Sequence, residues 1–292
     1  MNARRALSTA FTLAFFSSPA LGAETTRCMP KKDKLYRVAE ALPPQALKTR
    51  SGAVLRLIGL DLPDPVRHGD NADIAALSKR ARDALVGLVG RDVRISREKG
   101  SKPDRWGRIP AQVFAVSTGG SGAKSNSEWM QRRLLRLGLA RLRPAPGETH
   151  CVKDLFKDEG YARANRLGLW RLPEFRHQDA EDETLLTRVG RFGAVTGTII
   201  SVGKTKRRVY LNFGRHWSTD FTASMTGKVY RSLAAAGVTE KRLKGARVTI
   251  RGWIKSRRGP YIEITVPEQV EIAGAIATGT RSQDRKAGSK DP

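Results

Sequence analysis

Hydrophobic positions along this chain follow two periods, and the switches between them mark out its elements. Between residues 34 and 60 the pattern predicts strands: "LYRVAEAL" alternates loosely, and "GAVLRLIGL" is rich in aliphatic and β-branched residues. Pro43-Pro44 ends the first of these two segments. Over residues 70–89 the period becomes helical. Ile74, Leu77, Ala81, Leu85 and Leu88 recur on one face, Asp70 or Asn71 can cap the start, and Gly90 can end it. "DVRISRE" and "IPAQVFAV" return to strand spacing around the polar loop "KGSKPDRWGR". A Gly/Ser loop over 117–127 leads to a helix over "EWMQRRLLRL", whose Trp129 and Met130 read as core. A third helix runs from about Val152 to Leu167, and Trp170 beyond it reads as packed against the sheet. Three strands, a helix, two strands and two helices make an α+β unit.

The pattern shifts after residue 172. "LPEFRHQDAEDETLL" holds Pro173 and most of the local acid, and reads as a linker over 173–190. From Arg191 the chain is β-rich: "FGAVTGTIISV", "RRVYLNFG", "STDFTASM", a short helix through "KVYRSLAAAG", then "ARVTIRGWIK" and "PYIEITV" with "EQVEI". About five strands with a helix after the third is the order of an OB barrel. This second unit is expected over 191–273, and the polar stretch 274–292 reads as a disordered tail.

Composition adds a partner. Lys and Arg number 54 against 28 Asp and Glu, a formal net charge of +26 on 292 residues. Such an excess favours a polyanion: nucleic acid, anionic lipid or acidic polysaccharide. The first residues carry Arg4 and Arg5, an apolar run over 6–16 and small residues at Ala20-Leu21-Gly22-Ala23. That is the layout of a secretory signal peptide over 1–23, cleaved after Gly22 or Ala23. No later segment is apolar for long enough to cross a bilayer, so the mature chain is read as a periplasmic or secreted monomer. An oxidising compartment permits a bridge between the two cysteines, Cys28 and Cys151; the alternative is two unpaired thiols. Two cysteines and four scattered histidines offer no zinc spacing.

The candidate chemistry lies in "LRLIGLDLPD" and "DRWGR", which contain Arg56, Asp61, Asp64 and Arg108. Two guanidinium forks suit the oxygens of a phosphodiester, and nearby carboxylates suit a hard cation or a base. Pro63 holds Leu62 extended, which stiffens the turn. Arg56 and Asp61 are five apart, so a straight strand would place them on opposite faces. They share a site only if the strand bends or ends between them.

"RLIGLDLPD", "DRWGR", "LLRLGLARL" and "YARANRLGLW" occur in the order found in staphylococcal-nuclease-like (thermonuclease) domains, and roughly residues 34–170 resemble that family. The resemblance implies an OB barrel with three helices and Ca²⁺-dependent cleavage of DNA or RNA. It casts Arg56 and Arg108 as phosphate-binding arginines, Asp61 as a metal ligand and Asp64 in place of the family's glutamate base, one methylene shorter. Gln45 stands where the family has a second metal-binding aspartate, and no carboxylate falls among residues 41–60, which weakens the implied Ca²⁺ site. The domain is expected over 34–172.

Trp106 could stack on a base beside Arg105 and Arg108, or simply pack in its loop. In the second unit Tyr210, Phe213, Trp217, Phe221, Trp253 and Tyr261 alternate with basic residues. Half or more of these aromatics must be core. The basic turns "GKTKRR" (Lys206, Arg207, Arg208) and "KSRRG" (Arg257, Arg258) are the clearer sign of nucleic-acid contact. The "LNFGRHWSTDF" segment resembles the OB-like module that follows nuclease-like domains in some exported bacterial proteins. The expected function is an exported Ca²⁺-dependent nuclease, with the ion held by Asp61 with help from Asp64 or Gln45, whose OB module holds the strand. The alternative is a degenerate nuclease that binds nucleic acid without cutting it, and a third reading is an envelope protein whose basic face meets acidic polymers.

Overall fold

Short strands with one apolar face must curl to bury it, and the first unit does so by closing a ring. A computed structural model describes residues 28–30, 34–68, 71–116, 127–216 and 219–272. The expected signal peptide, the tail, Trp217 and all but the last residue of the Gly/Ser loop lie outside the described residues. Strand β1 (Tyr36–Leu42) pairs antiparallel with β2 (Ala46–Thr49), and β2 with β3 (Val54–Leu57). After β4 (Leu60–Asp61), α1 (Pro65–His68) and α2 (Ala72–Val86) come β5 (Asp92–Ser96) and β6 (Ile109–Ala115). Strand β5 pairs with β1 and β6, and β6 runs parallel to β3, which closes a five-stranded barrel in the order β1-β2-β3-β6-β5.

Helix α2 begins at Asn71, whose side chain accepts from the Asp73 and Ile74 amides. It buries the expected stripe of Ile74, Leu77, Ala81 and Leu85, and ends at Gly87, earlier than Gly90. The short β7 (Glu128–Trp129) precedes α3 (Met130–Arg136); Trp129 and Met130 are both buried. Strand β8 (Arg141–Leu142) pairs with β4, and α4 (Val152–Ala164) stops three residues before Leu167. Trp170 lies buried in the 3₁₀ turn Gly168–Arg171. Gly138 and Gly168 meet face to face with positive φ: a Cβ on Gly138 would come within 2.1 Å of the Leu167 carbonyl oxygen. The "RLGLA" and "RLGLW" segments therefore pack backbone on backbone, which needs glycine at both positions. Cys28 and Cys151 form a disulfide, with 5.4 Å between their Cα atoms.

The stretch 173–190 contains the short strand β9 (Gln178–Asp179), which pairs with β10 (Phe192–Thr198). A second curled sheet follows with β11 (Ser201–Lys204), β12 (Arg208–Asn212), β13 (Thr222–Thr226), α5 (Gly227–Ala235), α6 (Glu240–Leu243), β14 (Arg247–Arg257), β15 (Gly259–Ile264) and β16 (Val270–Ile272). β10 and β11 are separated only by Ile199-Ile200. One pairs with β14 and the other with β12, at opposite ends of the path β12-β13-β15-β14. Taken as one bent strand, they give the same order as the first barrel, again with a parallel pairing of third and fifth strands (β13 and β15). Each unit has its own apolar core, one around Leu55, Val113 and Leu134, the other around Val195, Leu211 and Ile250.

Polar side chains buried between the two cores join them. Arg251 of β14 is 1 % exposed; it donates to Glu159 of α4 at 2.6 and 3.1 Å and to Glu271 at 3.1 Å. Glu159 also accepts from the Leu142 amide at 2.7 Å. Among the described residues, no helix is long and apolar enough to cross a membrane.

Candidate functional site

The strand does end between Arg56 and Asp61. β3 stops at Leu57, and Gly59 takes a φ of +78°, a turn that L side chains resist. The chain restarts at Leu60, so Arg56, Asp61 and Asp64 all line one cleft of about 570 Å³. Arg108, just before β6, lines the same cleft, as do Gln45 and Arg143.

The two expected phosphate arginines are held together by acids. Asp104 Oδ2 lies 2.8 Å from Arg108 Nε and 3.3 Å from Arg56 Nε. Glu148 accepts from Arg56 Nη1 at 2.8 Å and from Arg143 Nη2 at 3.5 Å. Burial of Asp104 opposes its ionisation. Hydrogen bonds from the Arg108 backbone and side chain and from the Trp106 backbone outweigh that, and hold its carboxyl below the usual range. The two guanidinia are thus held in fixed positions by carboxylates, side by side on the cleft wall. Asp104 belongs to "DRWGR", but sequence reasoning missed Glu148: it lies 92 residues from Arg56 and no local pattern marks it. Trp106 is 62 % exposed, with Arg105 at 3.9 Å and Arg108 at 4.6 Å from its ring. It is an exposed aromatic with two guanidinia over its ring, and not a buried loop residue.

The implied metal half is arranged differently. Asp61 is buried against Arg141, with Arg141 Nη2 at 2.7 Å and Nε at 3.2 Å from the same oxygen. Arg141 Nη2 also donates to the Phe192 carbonyl at 2.8 Å, and its guanidinium lies over the rings of Phe175 and Phe192. Gln45 is buried and donates from Nε2 to the Leu57 carbonyl at 2.7 Å. Asp64 accepts from the Val66 amide at 3.1 Å and pairs with Arg67 at 3.0 Å, at the start of α1. A Ca²⁺ ion needs roughly six to eight oxygens, with carboxylates among them. Here a neutral amide, a carboxylate already neutralised by a buried guanidinium and a carboxylate tied to a helix start do not fit that demand. Among the described residues, the one group of three His, Cys, Asp or Glu side chains close enough to share an ion is Cys28, His150 and Cys151, and its two sulfurs are bonded to each other. "LLRLGLARL" contained the signal for Arg141: a cation within an apolar run, which needs a buried partner.

In the second unit, Lys206 and Arg207 are exposed in the turn before β12, and Arg208 is paired with Glu263 at 2.9 Å. Arg257 and Arg258, at the β14–β15 turn, form one side of a groove of about 560 Å³ whose other walls include Lys204, Tyr210 and Tyr261. Phe213 and Phe221 are core, whereas Trp253 is 37 % exposed and lines the first unit's cleft beside Arg67, 5.4 Å from its ring.

No curated protein matches the chain. A family model described as staphylococcal nuclease homologue matches residues 54–172, from β3 through the 3₁₀ turn that buries Trp170. The matched segment holds the arginine pair, the glycine contacts and three strands of the five-stranded barrel that β1 and β2 complete, and the unit is a staphylococcal-nuclease-like domain.

Proposed function

We propose that the cleft binds the sugar–phosphate backbone of single-stranded DNA or RNA, and that the protein does not hydrolyse it with Ca²⁺. The observation that carries this reading is the buried Arg141–Asp61 pair. It ties the carboxylate that the nuclease reading needs as a metal ligand to a buried guanidinium, while Arg56 and Arg108 stay side by side next to the exposed Trp106. Arg56 and Arg108 would contact phosphate oxygens; Trp106 and Arg105 would meet a base or sugar at the rim. The N-terminal pattern and the disulfide support an exported protein, and residues 191–273 would act as a basic module beside the nuclease-like domain.

Equilibrium binding of a labelled single strand across a salt series tests this. The expected result is affinity that falls steeply with salt, with the slope reduced by about one in each of Arg56→Ala and Arg108→Ala. Binding that is indifferent to salt and to both substitutions contradicts the reading.

A further inference from the structure

The cleft does not end at the first domain. Arg143 and Trp253 line both the 570 Å³ cleft and a neighbouring hollow of about 240 Å³ between the two units. Lys255 and Glu263 line that hollow and the next, of about 330 Å³. Arg257 and Tyr261 line the latter and the groove of about 560 Å³ on the second sheet. Each depression shares two wall residues with the next, so the four form one surface path.

Strand β14 forms the floor of its middle section. Side chains two apart on a strand share a face. On the outward face, Thr249 and Arg251 are buried, and Trp253, Lys255 and Arg257 are exposed. These three succeed one another at about 6.8 Å, so the exposed run covers roughly 14 Å. An aromatic followed by two cations at this spacing suits a base followed by successive phosphates of an extended strand. An aromatic surface recurs further along at Tyr210, in the last groove; Tyr261, 5 % exposed, lies beneath that groove with the Arg257 guanidinium 5.3 Å from its ring. The acids on the path are each paired with a cation: Asp61 with Arg141, Asp64 with Arg67, and Glu263 with Arg208 and Lys255 at 2.9 and 3.2 Å. Cations outnumber acids along each section of the walls.

We infer that a single strand of nucleic acid runs along this path, from the arginine clamp of the nuclease-like domain over Trp253 and β14 to the Tyr210–Tyr261 groove. The inference rests on the proposed binding of single strands and adds their direction, extent and second anchor. A duplex would leave the aromatic surfaces without unstacked bases to receive.

Fluorescence anisotropy of the full chain with oligothymidylates of about four and about sixteen residues tests it, a range set by the site sizes of such folds. The longer strand is expected to bind more than about thirtyfold more tightly, beyond the gain from its extra registers. In Lys255→Ser/Arg257→Ser, two exposed positions, the short strand should bind within about twofold of wild type and the long strand roughly tenfold more weakly. A length advantage that survives this variant overturns the path, as does a sixteen-base-pair duplex that binds as tightly as the single strand. If the short strand binds but the longer gains nothing, the path falls and the clamp stands. If neither binds, both fall.

Discussion

Arg141 and Asp61 are 80 residues apart in sequence, yet they form a buried ion pair whose closest approach is 2.7 Å, with side chains 5 % and 7 % exposed. The same Arg141 nitrogen reaches the Phe192 carbonyl, so this pair also touches the start of the second sheet. A guanidinium fills the role of counter-charge to a carboxylate that the family resemblance assigned to a metal.

Removing one member of such a pair strands a charge in the interior, which costs about 3–5 kcal/mol, whereas replacing both with apolar groups of similar volume is close to neutral. Arg141→Met is expected to lose stability of that order in urea denaturation, and Arg141→Met/Asp61→Leu to recover most of it. An equal loss in both proteins would show that the ion pair is not the cause.

Arg251 and Glu159 make the corresponding link between the two cores, with side chains 1 % and 0 % exposed. Arg251→Met leaves Glu159 without its closest cation and is expected to cost about 3–5 kcal/mol. Because this contact joins the units, the single calorimetric transition expected of the wild type should separate into two. A variant that still melts in one transition at the wild-type temperature contradicts this coupling.

His177 gives the junction a pH dependence. Burial, and then the charges of Arg251, Arg163 and Arg141, push its pKa down from 6.5 to about 2. Arg163 Nη1 lies 3.1 Å from His177 Nε2, an approach that suits a neutral ring accepting at that nitrogen. The unfolded chain takes up a proton below pH 6.5 that the folded chain refuses until about pH 2. The contribution is therefore full above pH 6.5 and declines as pH falls through that window. At pH 5 the decline should be about 2 kcal/mol relative to pH 7.5. Unfolding of His177→Gln, compared with wild type at both pH values, should show a shallower pH dependence; parallel curves would exclude His177 as the source.

What could be read from the sequence was local. The stripe from Ile74 to Leu85 identified α2, because it rests on spacing within a short segment, and two short motifs singled out Arg56 and Arg108, which line one cleft. Whether Arg56 and Asp61 share a site depended on a chain break that Leu-Pro only hinted at; the positive φ of Gly59 decides it. The partners of these residues were not legible. Glu148, Arg141 and Arg251 find their counterparts 92, 80 and 92 residues away, and long-range charge pairing leaves no periodic trace. What they did leave was misplacement: Arg141 and Arg251 each interrupt an apolar or strand-forming run, where a charge must be either exposed or paired. Likewise Trp253 could be recognised as an aromatic of the second unit but not as a wall of the first unit's cleft.

The most direct measurement tracks binding and integrity of one labelled single-stranded oligonucleotide in the same samples, with Ca²⁺ and with chelator. The expected result is equal, salt-sensitive affinity in both, with the strand intact after prolonged incubation. Cleavage that requires Ca²⁺, stops with chelator and disappears in Arg108→Ala would contradict the account and restore the nuclease.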